Sequence, residues 1–498
     1  MSSTSEGSQP NILFVMADDH AANAIRTYGA HLSPVAPTDN IDRIAHEGVR
    51  VDNCLCTNAI CTPSRASILT GQHSHHNDVR TLADDLDPDR RHVAHRLQDA
   101  GYRTGVVGKW HLGTEPQGFD YYNVLPNQGR YHDPLLKESG GEWQPGAEGG
   151  TEHEGYSADV ITNQALEWLG RTDDRPFFLQ CHFKAPHEPW EYPDRFADRL
   201  EDIRIPEPST LFEDKSHRSS ATRAHGSTLS AANDFRSMVE MLEEWDWPTG
   251  NIDTTGMSDV EATRTAYQRY LKDYLRTIMA IDENVGRLLE FLDEAGIADE
   301  TLVVYTSDQG MFLGEHDYID KRWFFEESAR MPFLARYPDE IPPDSFVDDL
   351  VANIDFAPTF LDYAGIERPN SMDGWSIRDI LKGQTLEEWR DSVYYRYWMH
   401  KAHHDVPAHY GLRTERYKLV FYYALPLDAS GAIDEPTEPG WELYDLKRDP
   451  HELRNVYDDL SYERVRERLI SKLDEKKRDL GDTDERYPEL VARRDATR

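Results

Sequence analysis

Five residues, Cys61-Thr62-Pro63-Ser64-Arg65, place a thiol, a hydroxyl and a guanidinium at the head of a helix-like run. Pro63 suits the first helical position, where its missing N–H costs nothing, so Cys61 is expected at or just ahead of a helix N-terminus. Free N–H groups and the positive dipole end there favour an anion. Arg65 adds a fixed cation one turn on. A nucleophile beside an anion cradle suits attack on a charged ester. Taken alone, a cysteine beside a proline also reads as a small core residue, so the other segments must decide.

Several other segments carry groups that such a site needs. The apolar run Asn11 to Ala17 ends in Asp18-Asp19, and the run Thr301 to Thr306 ends in Ser307-Asp308-Gln309. Adjacent carboxylates repel each other unless a cation sits between them, and ligands gather at the C-terminal edge of an open α/β sheet. Tyr102 to Gly108 delivers Lys109-Trp110-His111. Alternate residues of an extended segment face the same way, so Lys109 and His111 are expected to reach one pocket. Pro176 to His182 runs into Pro186-His187-Glu188-Pro189, whose prolines fix the backbone around His187. Lys321 follows the last strand by one loop, in Asp320-Lys321-Arg322. Asp18, Asp19, Asp308 and Gln309 are hard oxygen donors, which select Ca2+ or Mg2+ over zinc. With several anionic ligands, Ca2+ is favoured and Mg2+ is the alternative. His73, His75 and His76 form a separate polar cluster, open between solvation and metal binding.

The elements that must position these groups alternate. Helical spacing or Gly stops mark 40–48, 61–71, 92–101, 157–170, 259–295 and 353–365. Strand-like runs fall at 11–17, 49–56, 102–108, 176–182, 301–306 and 331–337. Gly118 to Pro134 reads as irregular, and Pro206 to Gly250 as a polar insertion over the site. Up to about residue 375 this predicts an α/β domain, a large mostly parallel sheet sandwiched by helices. From 376 to 498 the aromatic alternating runs 394–398, 411–423 and 441–446, followed by a charged helix over 461–480, predict a smaller α+β domain with an antiparallel sheet.

Composition narrows the partners. A 498-residue chain with 38% hydrophobic residues can bury a full core without staples. A net charge of −37 argues against nonspecific nucleic-acid binding and against an anionic membrane, so any anion site must be built locally. The four cysteines, Cys54, Cys56, Cys61 and Cys181, form no disulfide framework. Residues 1–10 show neither a basic nor an apolar leader region, so the chain as written is expected in the cytoplasm, with secretion after removal of a leader left open.

Cys61-Thr62-Pro63-Ser64-Arg65 with Ala66-Ser67-Ile68-Leu69-Thr70-Gly71 resembles the maturation motif of the formylglycine-dependent sulfatases. The likeness extends in order along the chain. Asp18 and Asp19 resemble that family's first metal pair, and Gly108-Lys109-Trp110-His111-Leu112-Gly113 its Gly-Lys-x-His block. His187 matches the His after the central strand, Asp308-Gln309 the second metal pair, and Lys321 the sulfate-binding Lys. Gln309 stands where Asn or His is common, and its amide oxygen still suits a cation. The closing Leu443-Tyr444-Asp445-Leu446, Asp449-Pro450 and Glu452 are also similar.

The resemblance implies an alkaline-phosphatase-like fold and covalent catalysis. Cys61 would be converted to formylglycine by a maturation enzyme and held by Arg65. Asp308 would be the base, Lys109 and Lys321 would stabilise sulfuryl oxygens, His187, alone or with Lys321, would protonate the leaving alcohol, and His111 would assist release. Asp308-Gln309-Gly310-Met311-Phe312-Leu313-Gly314-Glu315-His316 with Asp320-Lys321-Arg322 looks like bacterial enzymes acting on sulfated glycans, including N-acetylglucosamine-6-sulfatases. The expected substrate is a small-molecule or oligosaccharide sulfate ester, contacted by Lys109, His187, Lys321 and, from the His-rich segment His400, His403, His404 and His409, by His409. The oligomeric state is open. Two other readings stand beside this one: a phosphatase or phosphonate monoester hydrolase on the same fold, and a noncatalytic glycan-binding protein whose Cys61 is never converted.

Overall fold

β1 (Asn11–Ala17) is apolar and buried from Ile12 onward because both of its faces are covered. Ile12, Phe14 and Met16 pack into one core with Ile68, Phe356 and Phe360, while Leu13, Val15 and Ala17 pack into a second with Ile161, Ile281 and Val285. The two-residue period of a strand separates these sets. The computed structural model, which describes residues 9–231 and 235–498, places β1 near the middle of a ten-stranded sheet. The segment read for a leader lies largely in residues 1–8, outside the described residues.

The other strands of this sheet are β2 (Val49–Val51), β3 (Arg103–Lys109), β4 (Tyr121–Leu125), β5 (Leu135–Glu138), β6 (Thr151–Glu152), β7 (Phe177–His182), β8 (Thr301–Ser307), β9 (Phe333–Arg336) and β10 (Ser345–Val347). Their order is β10-β2-β9-β8-β1-β7-β3-β4-β5-β6. The strands β8, β1, β7, β3 and β4 run parallel, with Ile12 opposite Phe178 and Leu302. Antiparallel pairs flank them, β9 against β8 and β2 on one side and β5 against β4 on the other. Parallel neighbours share one C-terminal edge, so the segments after β1, β3, β7 and β8 emerge side by side. The span 118–134, read as irregular, contains β4 (Tyr121–Leu125), which inserts beside β3.

One face of the sheet carries α1 (Cys61–Thr70) and the other carries α2 (Ser157–Leu169) and α3 (Asp259–Glu294), while α4 (Phe356–Tyr363) joins the first face. In α3, Ser258 caps the N-terminus in a reciprocal pair with Glu261. Strands β11 (Ser392–Tyr397), β12 (His409–Thr414), β13 (Tyr417–Tyr422) and β14 (Gly440–Asp445) form a separate antiparallel sheet, with α5 (Glu463–Asp479) packed on it through Leu469, Ile470 and Leu473. The aromatic run 411–423 is a hairpin, β12 to β13, with Leu412 opposite Leu419. A last helix, α6 (Pro488–Thr497), buries only Leu490 and has little apolar periodicity to announce it. Among the described residues no helix is long and apolar enough to cross a membrane.

Candidate active site

Helix α1 starts at Cys61 itself, after Ile60 in extended backbone. Pro63 is therefore its third residue and not its first as expected. The geometry tolerates this because the first four N–H groups of a helix have no intrahelical partner. All ten residues of α1 are buried, and Gly71 closes it with a left-handed backbone, φ 68°.

The acidic strand ends meet in front of Cys61. Carboxylate oxygens of Asp18, Asp19 and Asp308 lie within 4.8 Å of one another, as do Cys61 Sγ, an Asp18 oxygen and a His187 ring nitrogen. Consecutive strand residues face opposite ways, so Asp18 and Asp19 could not converge if β1 simply continued. A left-handed backbone at Asp19, φ 70°, breaks the alternation.

Cations answer the carboxylates one for one. Arg65 donates from Nε to Asp308 Oδ2 (2.9 Å), from Nη2 to Asp18 Oδ1 (3.3 Å) and from Nη1 to the Lys109 carbonyl (2.8 Å). Lys109 pairs with Asp18 and donates to Gln128 Oε1 at 2.6 Å. Lys321 donates to Asp19 Oδ2 at 2.6 Å. Burial alone would raise the Asp18 carboxyl, but Lys109, His187 and Arg65 outweigh it and hold it well below the usual range. Burial raises Asp308 to about 8 against the pull of Arg65, with Asp18 and Asp19 adding their repulsion. The Cys61 thiol is pushed up to about 12, mainly by burial, against Lys321. As a plain thiol it is neutral at physiological pH and a poor nucleophile.

Gln309 donates from Nε2 to Asp19 and lies 3.7 Å from Cys61 Sγ, while its Oε1 is buried without a hydrogen-bond partner. Three clustered carboxylates and one unpartnered amide oxygen fit a hard divalent cation. His187 Nε2 is 3.8 Å from Asp19 Oδ2, and burial with Lys109 and Lys321 pushes the ring well below the usual imidazole range. His111 shares the influence of Lys109, Asp18 and Arg65, and its Nδ1 is buried without a partner. It does not get there by strand alternation, because β3 ends at Lys109 and His111 is left-handed at φ 53°.

His409 does not reach the site. It is fully buried, stacked among Trp323, Tyr395 and Tyr422, with Nδ1 on the Pro407 carbonyl at 2.7 Å. As the first residue of β12 its ring turns into the aromatic layer beneath the small sheet, which leaves no face for a sugar. His404, from the same segment, lies nearer Lys321: its Nε2 is 3.4 Å from Asp320 Oδ1, and its Nδ1 is 3.0 Å from Ser227 Oγ. Asp320 is held by Arg322 Nε at 2.8 Å and stands 3.4 Å from Lys321 Nζ. In the sequence Asp320 and Arg322 stand out only as neighbours of Lys321, and Gln128 not at all. The signal in the structure is left-handed backbone at two non-glycine residues, Asp320 (φ 73°) and Arg322 (φ 86°). His73 and His76 lie elsewhere, tied to Asp373 by the His73 backbone N–H and by His76 Nδ1, 2.8 Å each.

A parallel sheet presenting three carboxylates, three cations and a helix-borne position 61 at one edge defines an alkaline-phosphatase-like hydrolase. The sulfatase family model matches residues 10–366, and that for the C-terminal part of N-sulphoglucosamine sulphohydrolase matches residues 314–479. The N-acetylglucosamine-6-O-sulfatase of Bacteroides thetaiotaomicron is 38% identical over 98% of this chain and 89% of that protein. The solved structure of BT4656 in complex with its substrate D-glucosamine-2-N,6-O-disulfate superposes with a TM-score of 0.86 at 36% identity, covering 96% of this chain and all of that one. A phosphonate monoester hydrolase from Silicibacter pomeroyi shares the fold, with a TM-score of 0.71 at 21% identity over 96% of each chain.

The chain belongs to the sulfatase family and is a sulfuric ester hydrolase. That family generally uses a formylglycine nucleophile and a divalent metal ion.

Proposed function

We propose that this chain hydrolyses a 6-O-sulfate ester of a glucosamine-type sugar, with Cys61 converted to formylglycine by a maturation enzyme and Ca2+ held by Asp18, Asp19, Asp308 and Gln309. The observation that carries the proposal is the cluster of Asp18, Asp19 and Asp308, whose Asp18 also lies within 4.8 Å of Cys61 Sγ and a His187 ring nitrogen. The likeness to relatives acting on 6-O-sulfated glucosamine supports the sugar.

Formylglycine supplies a hydrated aldehyde, one hydroxyl to attack and a second to release product, and the ion supplies positive charge against the sulfuryl oxygens. Asp308, clustered with Asp18 and Asp19 and held by Arg65 at 2.9 Å, takes the proton of the attacking hydroxyl. Lys109 and Lys321 hold the ester oxygens and oppose the charge that develops on them. His187 gives a proton to the leaving sugar oxygen; the ester's negative charge favours the imidazolium that burial disfavours. His111 takes the proton of the second hydroxyl as sulfate departs. Asp320, Arg322 and His404, beside Lys321, bind the sugar hydroxyls.

The test is kcat/KM on a panel of glucosamines sulfated at O6, O3 or N2, with aryl sulfates and phosphate monoesters alongside, together with mass spectrometry of the Cys61 peptide. The O6 sulfate is expected to lead the panel and residue 61 to carry the aldehyde. A leading phosphate ester, or an unmodified thiol in active protein, overturns the reading.

A further inference from the structure

Proton transfer to a leaving oxygen requires the His187 ring to be aimed, and the structure shows what aims it. His187 Nδ1 faces the Glu188 carbonyl at 2.9 Å. A carbonyl only accepts, so Nδ1 carries the hydrogen and Nε2 is the nitrogen left to face Asp19, Asp18 and Cys61. That carbonyl has a second partner, Lys184 Nζ at 3.5 Å. The neighbouring carbonyl, of His187 itself, accepts from the Tyr131 hydroxyl, and Lys184 Nζ sits 4.6 Å over the Tyr131 ring. Both side chains are buried, Tyr131 1% and Lys184 4% exposed, and Tyr131 stacks on Tyr156 at 5.8 Å. Among the described residues no carboxylate lies within ion-pair distance of Lys184. A buried ammonium with a carbonyl and a ring face as its near partners, and only longer-range attraction from Asp18, Glu191 and Glu188, is costly for stability alone.

We propose that Tyr131 and Lys184 are positioning residues for sulfate-ester cleavage: they pin the two carbonyls of the 187–188 segment from below, so that His187 presents Nε2 to the leaving oxygen. The proposal rests on the reading of His187 as the leaving-group acid. Neither residue touches substrate; each acts through the imidazole. Their loss therefore harms esters in proportion to how much the departing oxygen needs a proton.

The test uses Tyr131→Phe, Lys184→Met and Lys184→Arg, with His187→Ala as reference, on glucosamine 6-sulfate and on 4-nitrophenyl sulfate. Phenylalanine keeps the ring and its packing. Tyr131→Phe is expected to lower kcat on the sugar ester by roughly 10- to 100-fold, part of the ~10²–10⁴ that a positioned acid supplies, with KM within about 2-fold. Loss on the aryl ester is expected to stay under about 3-fold, because a nitrophenolate leaves unprotonated. Lys184→Arg is expected to recover most of what Lys184→Met loses. In a His187→Ala background, Tyr131→Phe should cost under about 2-fold, since the group it aims is gone.

If Tyr131→Phe lowers both esters equally, or adds its full loss on top of His187→Ala, Tyr131 is only structural and the proposal fails. If instead His187→Ala itself lowers both esters equally, the leaving-group reading of His187 fails, and the positioning role goes with it.

Discussion

Lys321→Met separates charge balance from catalysis at this site. Asp18, Asp19 and Asp308 face Arg65, Lys109 and Lys321, three acids against three bases, all buried. Methionine keeps the length of the side chain and deletes one cation, which leaves Asp19 with the neutral Gln309 amide and, at 3.8 Å, His187. Removing one partner of a buried ion pair costs about 3–5 kcal/mol. At ~2.1 cal/mol/K per residue, 498 residues unfold with an entropy near 1 kcal/mol/K, so the melting temperature should fall by about 3–5 °C in chelator. A divalent cation replaces the missing positive charge at Asp19, so millimolar Ca2+ should restore most of that loss. It should not restore catalysis, because the ammonium that meets the sulfuryl oxygens is still absent: kcat/KM should stay down by about 10²–10³-fold. Scanning fluorimetry with and without Ca2+, beside steady-state kinetics, reads both quantities. An equal melting loss in chelator and in Ca2+, or activity that returns together with stability, refutes the reasoning.

Gln309→Leu removes the unpartnered amide oxygen and should weaken divalent-ion affinity on the order of 10- to 100-fold, measured by calorimetric titration of the chelated protein; unchanged affinity would remove Gln309 from the ligand set. Asp320→Asn and His404→Ala should raise KM for glucosamine 6-sulfate by about 10-fold or more while 4-nitrophenyl sulfate is turned over nearly as before; equal losses on both would place these residues in the chemistry and not in sugar recognition. Asp282, on α3, accepts the backbone N–H groups of Asn40 and Ile41, each at 2.9 Å, and burial raises its carboxyl to about 6. Its folded value lies above the unfolded one, so its contribution to stability is full below about pH 4 and is lost as pH rises through 6. Asp282→Asn removes that titration: relative to the variant, the parent should lose about 1.4 kcal/mol between about pH 5 and pH 7.5, read from denaturant unfolding at the two pH values, and a pH-independent difference would show that the group does not titrate there.

The sequence by itself settled what is local. The apolar run Asn11 to Ala17 could only be a strand covered on both faces, the stop at Gly71 could only end a helix, and the residues from Cys61 to Arg65 announced the family's nucleophile. Acidic residues after two such strands pointed to a cation because the C-terminal ends of parallel strands share one edge, where ligands gather. Tertiary structure decided the rest, since it depends on which strands lie side by side and on single backbone angles. Asp18 and Asp308 meet because β1 and β8 are parallel neighbours, and Arg65 reaches both of them from α1. Left-handed turns at Asp19, His111, Asp320 and Arg322 redirect side chains in ways that no periodicity encodes. In the His-rich segment, His404 and His409 have the same chemistry, and only the register of β12 against β11 and β13 sends His409 into the aromatic layer and leaves His404 beside Asp320. Tyr131 carries no motif at all. Its hydroxyl matters because β4 lies beside β3 and the chain beyond it passes under His187, a proximity that exists only in the folded chain.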